Sequence, residues 1–336
     1  MSTPSGHIEV TPLGSERDLR EATGLLERAE HAAGVPLLDE AEEQRLELWR
    51  ATGQRSQEWT PLLLRRGGEP LAYAAAAADP PGDMATGDVA VARPVRDVQE
   101  VTRHALLAVR SAAEPLRARR LQVWMRAVGP VEVAAAQAAD YELERRLAVL
   151  GRALPVQDGQ GGDEGETGGE VQDGQRGPGQ AALDRLAGAG TRIRTFAPDQ
   201  DDPAVVEVLA AAYAGSDDGG WDLPRFQARR GWSWFRAQDL LVAEDSDGHL
   251  AGIHWLKRRG RGVGEVYNLA VHPRAQGRGV GPALLRAGLD HLAAVGCTEV
   301  ILWVDTANER AVGLYRSQGF ATRWEDIAVG TPLLPT

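Results

Sequence analysis

The chain has 336 residues, of which 43% are hydrophobic and 25% are charged, and its formal net charge is −11 at pH 7. One hydrophobic core seldom serves so long a chain, so we expect two domains. The acidic balance argues against nucleic acid or an anionic membrane as the main partner, because both are bound by clustered lysine and arginine.

The hydropathy pattern and the cysteine content narrow the class of protein further. No apolar run approaches the ~18 residues that a membrane-spanning helix needs, and residues 1–6 lack the basic and apolar regions of a signal peptide. The single cysteine, Cys297, excludes an internal disulfide and a cysteine-based metal cluster, and we expect it to be a small buried side chain. We therefore expect a cytoplasmic protein that needs no metal.

The first half of the chain alternates between strand and helix patterns. Strands are predicted at residues 8–13, 61–64, 70–78, 87–92, 121–125 and 146–150, and helices at 16–33, 41–49, 98–113 and 130–139. From about Pro155 to Gln180 the composition collapses to Gly, Gln, Asp and Glu, which cannot bury apolar surface. We therefore predict an N-terminal domain over 1–153 and a disordered linker over 154–190.

The second half, residues 191–336, repeats the alternation. Strands are predicted at 191–196, 240–244, 250–256, 264–271, 299–304 and 322–329, and helices at 201–214, 282–295 and 308–318. A tryptophan-rich stretch that includes Trp221, Trp232 and Trp234 is predicted to be loop. Both halves indicate an α/β fold with a mixed sheet.

A glycine-rich loop follows the strand that ends before Pro273. Gly277, Gly279 and Gly281 precede an amphipathic helix, so several unpaired N–H groups point into one space at the positive end of that helix. Such a loop favours an anion such as a pyrophosphate. It lacks both the Lys-Ser/Thr ending of a P-loop and the Gly-x-Gly-x-x-Gly spacing of a dinucleotide fold.

The pattern Gln276-Gly-Arg-Gly-Val-Gly281 after Val-x-Pro resembles the coenzyme A loop of the GNAT acetyltransferase superfamily. The resemblance implies acetyl-CoA as the acetyl donor, held by loop amides at its pyrophosphate and by a splayed strand along its pantetheine arm. The implied cofactor-binding residues are Leu269, Ala270, Val271, Gln276, Gly277, Arg278, Gly279, Val280, Gly281, Pro282, Asn308, Glu309, Arg310, Ala311, Val312 and Gly313.

The two halves are related by a single offset of 179 positions. Adding 179 takes Leu71 to Leu250, Pro94 to Pro273, Leu106 to Leu285 and Trp124 to Trp303, which indicates a tandem duplication of one GNAT-like domain. At this offset the three loop glycines correspond to Val98, Glu100 and Thr102. We therefore expect the chemistry in the C-terminal copy. The N-terminal copy is expected to scaffold it, to contribute substrate contacts or to retain weakened coenzyme binding.

Two residues are implied as catalytic by the resemblance. Glu265 begins the cofactor strand, where a carboxylate could accept the amine proton, through water, or hold the ammonium group. Tyr315 lies two helical turns after Asn308, and in GNAT enzymes a tyrosine there protonates the departing thiolate. We expect direct attack of the amine in a ternary complex.

A resemblance to a narrower group of enzymes suggests which amine accepts the acetyl group. His254-Trp-Leu-Lys257, Gly264-Glu-Val-Tyr267 and Gly219-Gly-Trp221 resemble tandem-domain, actinobacterial GNAT enzymes that acetylate the cysteine amine of cysteinyl-glucosaminyl-inositol, a small amino-sugar-inositol. The implied substrate-binding residues are Glu40, Asp217, Asp218, Lys257, Glu265 and Trp303. Trp303 stands where tyrosine is usual. The loop before Gly219 is one residue shorter than expected, so Asp217 and Asp218 are both candidates.

Three readings of the function remain open at this stage. The first is acetylation of that amino-sugar-inositol by a monomeric enzyme. The second is acetylation of another small-molecule amine or of a protein N-terminus by the same fold. The third is a non-catalytic sensor that binds acetyl-CoA, which would release no free thiol with any amine.

Overall fold

The structure is a computed structural model that describes residues 6–78, 83–155, 190–216 and 218–333. The chain forms two compact units, one reaching Ala148 and including the residues from Trp324 onward, the other running from Val149 to Arg323. Most of the predicted linker lies outside the described residues.

The first unit is a mixed sheet with helices on both faces. Its elements are β1 (Ile8–Pro12), α1 (Glu16–Ala33), α2 (Glu40–Thr52), β2 (Trp59–Arg66), β3 (Glu69–Ala78), β4 (Met84–Val91), α3 (Val98–Ala113), β5 (Arg120–Met125), α4 (Pro130–Gln137), the first part of β6 (Glu142–Ala153) and most of β12 (Ala321–Pro332). Strands β1 to β5 and then β12 are neighbours in that order, and only the β4–β5 pair among them is parallel.

The last strand of the chain completes the core of the first unit. β12 pairs antiparallel with β5, and Ile327 and Val329 are buried in the apolar cluster beneath α3. The sequence reading had assigned this strand to the C-terminal domain, since chain order alone does not reveal which β-sheet a terminal strand will join.

The second unit repeats the arrangement. Its elements are β7 (Arg192–Thr195), α5 (Asp202–Ala212), α6 (Leu223–Arg230), β8 (Leu240–Glu244), β9 (Leu250–Arg258), β10 (Val263–Val271), α7 (Val280–Ala294), β11 (Glu299–Asp305) and α8 (Glu309–Ser317). The sheet order is β6-β11-β10-β9-β8-β7, in which β10 and β11 are parallel. The predicted α/β class with a mixed sheet is confirmed in both units.

Helix α6 corrects the prediction of loop for the tryptophan-rich stretch. Asp222 caps it by accepting the Arg225 N–H at 2.8 Å, and a proline in the first turn favours its start. The helix has eight residues and one fully buried side chain, Phe226. A helix this short needs only one turn of contact with the core, so its sequence shows no repeating apolar pattern.

Helix α7 packs closely on β9 through a histidine and a glycine. The Nδ1 atom of His254 lies 2.7 Å from the Leu284 carbonyl oxygen, and a Cβ atom at Gly288 would come within 2.1 Å of that nitrogen. Burial lowers the pKa of His254 to about 4, so the ring is neutral at pH 7. Glycine at 288 is therefore required by the close approach of helix to strand.

Two simpler expectations can be compared with the structure. Cys297 is buried just before β11, as expected, and burial raises the pKa of its thiol. Among the described residues, no helix combines the length and the apolar character needed to cross a membrane.

The first unit buries a group of polar side chains beneath α2. Glu42 is 1% exposed and accepts hydrogen bonds from the Trp59 indole at 2.9 Å and from the Tyr73 hydroxyl. The Arg45 Nη1 atom lies 3.1 Å from the Glu42 Oε2 atom. Burial raises the pKa of Glu42 to about 7 although Tyr73 and Arg45 act to lower it. The carboxyl therefore gains a proton more readily in the folded state than in the unfolded chain.

Replacing Glu42 by Gln is expected to stabilise the protein at alkaline pH. Since the folded pKa lies above the unfolded value, the contribution of Glu42 is fully present below the unfolded pKa and is lost as pH rises through about 7. The substitution should recover up to about 3 kcal/mol near pH 8 and little near pH 5. Thermal unfolding at both pH values measures it, with Glu47→Gln on the exposed side of α2 as control. An equal shift at both pH values would contradict this account.

Candidate active site

Strands β10 and β11 separate after three residue pairs. The parallel ladder joins Val263–Glu265 to Glu299–Ile301, and within the described residues its register ends there. On the other side, β10 continues to pair with β9 to Val271, with an extra residue at Tyr267 where the register shifts. Such a bulge bends the strand. A gap therefore opens beside Leu269 and Ala270, where an extended ligand could take the place of a strand.

The glycine loop lies at the end of this gap. Gly277 has φ +77° and Gly279 has φ +86°, a left-handed conformation that side chains rarely adopt, and α7 begins immediately afterwards. The first N–H groups of a helix have no acceptor within the helix, so the start of α7 can bind an anion. The Gln276 side chain donates to the Val271 carbonyl at 3.2 Å and accepts from Arg310 at 2.9 Å. It thereby links the end of β10 to α8.

Helix α8 carries the predicted tyrosine. Asn308 caps the helix by accepting the Ala311 N–H at 3.1 Å. Tyr315 is 8% exposed and meets Phe320 edge-on, with ring centroids 5.7 Å apart. Burial raises the pKa of the Tyr315 hydroxyl, so this group keeps its proton at neutral pH. It can therefore donate a proton to a group that gains negative charge.

A second tyrosine, which the sequence analysis did not single out, lies near Tyr315. Tyr213 follows α5, and burial, then the nearby Tyr315 and Asp218, raise the pKa of its hydroxyl. No motif marks it, because its position depends on how α5 packs. Asp218 is exposed in the following loop, whereas the other candidate, Asp217, lies outside the described residues.

The predicted carboxylate lies where β10 and β11 part. Glu265 is 5% exposed, pairs with Ile301 on β11 and faces Lys257 across the antiparallel β9–β10 pair. The Arg259 Nε atom donates to its Oε2 at 2.5 Å, and the Arg259 guanidinium lies 4.9 Å from the Trp303 ring centroid. The fold thus brings three predicted substrate residues together, through a fourth that the sequence analysis did not identify.

Aromatic side chains cover the same face of the sheet. The Lys257 ammonium lies 4.8 Å from the centroid of Trp234, which packs 4.8 Å from Tyr267. Arg229 donates to the Tyr267 hydroxyl and stacks on Trp232 at 4.1 Å. A polar substrate here would meet cations and indole rings together.

Glu40 belongs to the first unit. It is the first residue of α2, directly after the capping residue Asp39, and is partly exposed. Its predicted contact with substrate stays a prediction.

The corresponding parallel strands of the first unit, β4 and β5, stay paired for longer. The parallel ladder of the first unit has the same register as that of the second. Met84 pairs with Arg120, and the residues 179 positions later, Val263 and Glu299, also pair. The ladder of the first unit then continues for three further pairs, to Val89, and the pairing of β4 with β3 has no bulge. The cavity beside Val89 and Ala90 measures about 20 Å³, enough for about one water molecule, and a second, open cavity of about 360 Å³ lies along α4 of the same unit.

In the first unit, side chains also occupy the positions that correspond to the anion-binding loop and helix starts of the second. Glu132 forms an ion pair with Arg93 at the cavity wall and accepts the Gly129 N–H at 2.8 Å, so a carboxylate of the chain itself satisfies the start of α4. The Thr102 hydroxyl, at the position of Gly281, is buried without a hydrogen-bond partner among the described residues. The small cavity beside β4 leaves no space for a pantetheine arm.

Residues 205–320 match the acetyltransferase (GNAT) family. That stretch contains the separated strand, the glycine loop and α8. A tandem GNAT protein from the clavulanic acid biosynthesis pathway resembles the structure with a TM-score of 0.65 at 15% identity, covering 98% of this chain and 100% of that one. Identity this low supports the fold alone, here two tandem GNAT-like domains.

Relatives with similar sequences identify the family of this chain more narrowly. A mycothiol acetyltransferase from Thermomonospora curvata is 34% identical over 320 residues, which cover 95% of each chain. A protein of the same name from Stackebrandtia nassauensis is 36% identical over 224 residues, which span 65% of each. The resemblance first carried by the glycine loop and the internal repeat is confirmed. The chain belongs to the GNAT superfamily of acetyl-CoA-dependent N-acetyltransferases and, within it, to the mycothiol acetyltransferase family.

Proposed function

We propose that this protein transfers the acetyl group of acetyl-CoA to the cysteine amine of cysteinyl-glucosaminyl-inositol, giving mycothiol and free coenzyme A. The observation that carries the proposal is the buried carboxylate of Glu265 at the point where β10 and β11 separate. A relative that this chain matches over 95% of its length is named mycothiol acetyltransferase. A GNAT fold alone would leave the acceptor open.

Acetyl-CoA supplies an activated acetyl thioester, and the residues of the second unit fit it. The free edge of β10 at Leu269, Ala270 and Val271 suits the amides of the pantetheine arm. The pyrophosphate would be held by the loop from Gln276 to Pro282, where two glycines have positive φ. The start of α8, Asn308–Gly313, would border the arm on its other side.

The mechanism needs one base and one acid. Glu265 holds the substrate ammonium and assists the loss of its proton to water, after which the amine nitrogen attacks the thioester carbonyl directly. As the C–N bond forms and the C–S bond breaks, Tyr315 protonates the departing thiolate. Its buried hydroxyl is protonated at neutral pH, as this role requires. No covalent enzyme intermediate is formed.

The acceptor is polar and cationic at the reacting amine. We assign contacts with it to Lys257, Glu265 and Trp303, with Glu40 and the Asp217–Asp218 pair as further candidates. Carboxylates suit an ammonium group and sugar hydroxyls, while indole faces suit the apolar faces of sugar rings.

The direct test is release of thiol from acetyl-CoA with cysteinyl-glucosaminyl-inositol as acceptor. Free cysteine and an aminoglycoside serve as comparison amines. Turnover with the first alone supports the proposal. Turnover only with another amine would retain the mechanism and overturn the acceptor, and no turnover with any amine would favour a sensor that binds acetyl-CoA without reacting.

Replacing Tyr315 by Phe should separate chemistry from binding. We expect kcat to fall about 100-fold or more while the Kd for acetyl-CoA changes less than about twofold, since the ring against Phe320 is kept. Tyr141→Phe removes another buried hydroxyl, in the first unit, and is the control. If Tyr213→Phe lowers kcat and Tyr315→Phe does not, the acid is Tyr213.

We expect one acetyl-CoA site in each chain. Isothermal calorimetry should give a stoichiometry of one, because the cavity beside β4 in the first unit lacks room for the arm. Gly279→Val should weaken binding about tenfold or more, since a branched side chain at φ +86° is strained. Glu100→Gln, at the corresponding position of the first unit in α3, should leave binding unchanged. A stoichiometry of two would show that the first unit opens.

A further inference from the structure

The turn between β9 and β10 is rigidly held. Gly260, Arg261 and Gly262 all have positive φ, and Arg259 and Val263 close the turn with an N–H to carbonyl bond of 2.9 Å. The Gly262 carbonyl also accepts the Thr298 N–H at 2.7 Å, which ties the turn to the residue before β11. The backbone of Arg259 therefore has a fixed position relative to the start of both strands.

From this turn the Arg259 side chain reaches back over the substrate face. Its Nε atom lies 2.5 Å from Glu265 Oε2, and its guanidinium lies over Trp303. The two charged side chains are 19% and 6% exposed, so little water screens them. Among the described residues, nothing donates a hydrogen bond to the other carboxylate oxygen, Oε1. One oxygen is thus taken by arginine and the other is available to a ligand.

We propose that Arg259 is a positioning residue that makes the amine proton easier to remove; this inference rests on the proposed acetyl transfer. A lone buried carboxylate attracts an ammonium group strongly and thereby keeps the proton on nitrogen. With Arg259 on Oε2 the pair is neutral overall, so an ammonium at Oε1 is held less tightly and loses its proton to water more readily than it would beside a lone carboxylate. Arg259 also fixes the direction in which Oε1 points.

Arginine suits this position better than lysine. Its planar guanidinium can donate to the carboxylate and stack on an indole at the same time, whereas an ammonium is a point charge on a flexible stem. Trp303 thus acts as a platform for Arg259. Lys257, across the β9–β10 pair, adds a second positive charge on the same face, and Ile301 on β11 is apolar.

The test is steady-state kinetics of Arg259→Ala with the amine that the wild-type protein acetylates. Removing the cation should strengthen ammonium binding and hinder proton loss together. We expect kcat to fall about 10- to 100-fold and the KM for the amine to fall about threefold or more, with the KM for acetyl-CoA unchanged. Arg259→Lys should restore part of kcat. Arg261→Ala, an exposed arginine in the same turn, is the control and should match wild type.

Each other outcome has a definite meaning. A raised amine KM would make Arg259 a substrate contact and overturn the inference, as would kinetics equal to wild type. If Arg259→Ala fails to fold, Arg259→Lys decides, since it should lower kcat without raising the amine KM. If wild type itself turns over no amine, the proposed function fails and the role of Arg259 with it. If wild type turns over the amine and Arg259→Ala has the same kinetics, only the inference about Arg259 fails.

Discussion

The separation of β10 from β11 after Glu265 is the constraint on which the site depends. A parallel pair that stays joined offers no free backbone edge, and in the first unit the corresponding ladder continues to Val89, the position of Asn268. The bulge at Tyr267 bends β10 away while its pairing with β9 holds it in the sheet. The glycine loop, the start of α7 and the cap of α8 then follow the gap, so one local irregularity arranges groups from three elements.

The two copies show how little separates an open site from a closed one. Their parallel ladders share one register, yet the first copy carries Asp88 where the second has the bulged Tyr267. Asp88 is buried, accepts the Asp39 N–H at 2.9 Å, and burial raises its pKa. Glu42 and Tyr73, which are hydrogen-bonded to each other, are buried near Asp88 beneath α2. Polar side chains thus occupy the first copy at the position where the second copy has its bulge.

The acid and the base occupy different electrostatic environments. Tyr315 is buried, and burial favours its neutral form, which is the form that can donate a proton. Glu265 is equally buried but has a guanidinium against one oxygen. The family resemblance suggested that Trp303, in place of tyrosine, changes a substrate contact. In the structure its ring lies under Arg259, so the larger ring serves a cation of the protein itself.

Much of this protein was readable from the chain alone. Apolar periods located most strands and helices within a few residues, the loop glycines indicated the anion site, and the offset of 179 identified the duplication, because these features are properties of neighbouring or repeating residues. The bulge at Tyr267, the helix α6, the pairing of β12 with β5 and the contact of Arg259 with Glu265 were decided by the tertiary structure. Each depends on which strand, helix or side chain from a distant part of the sequence packs alongside, and no local pattern encodes that choice.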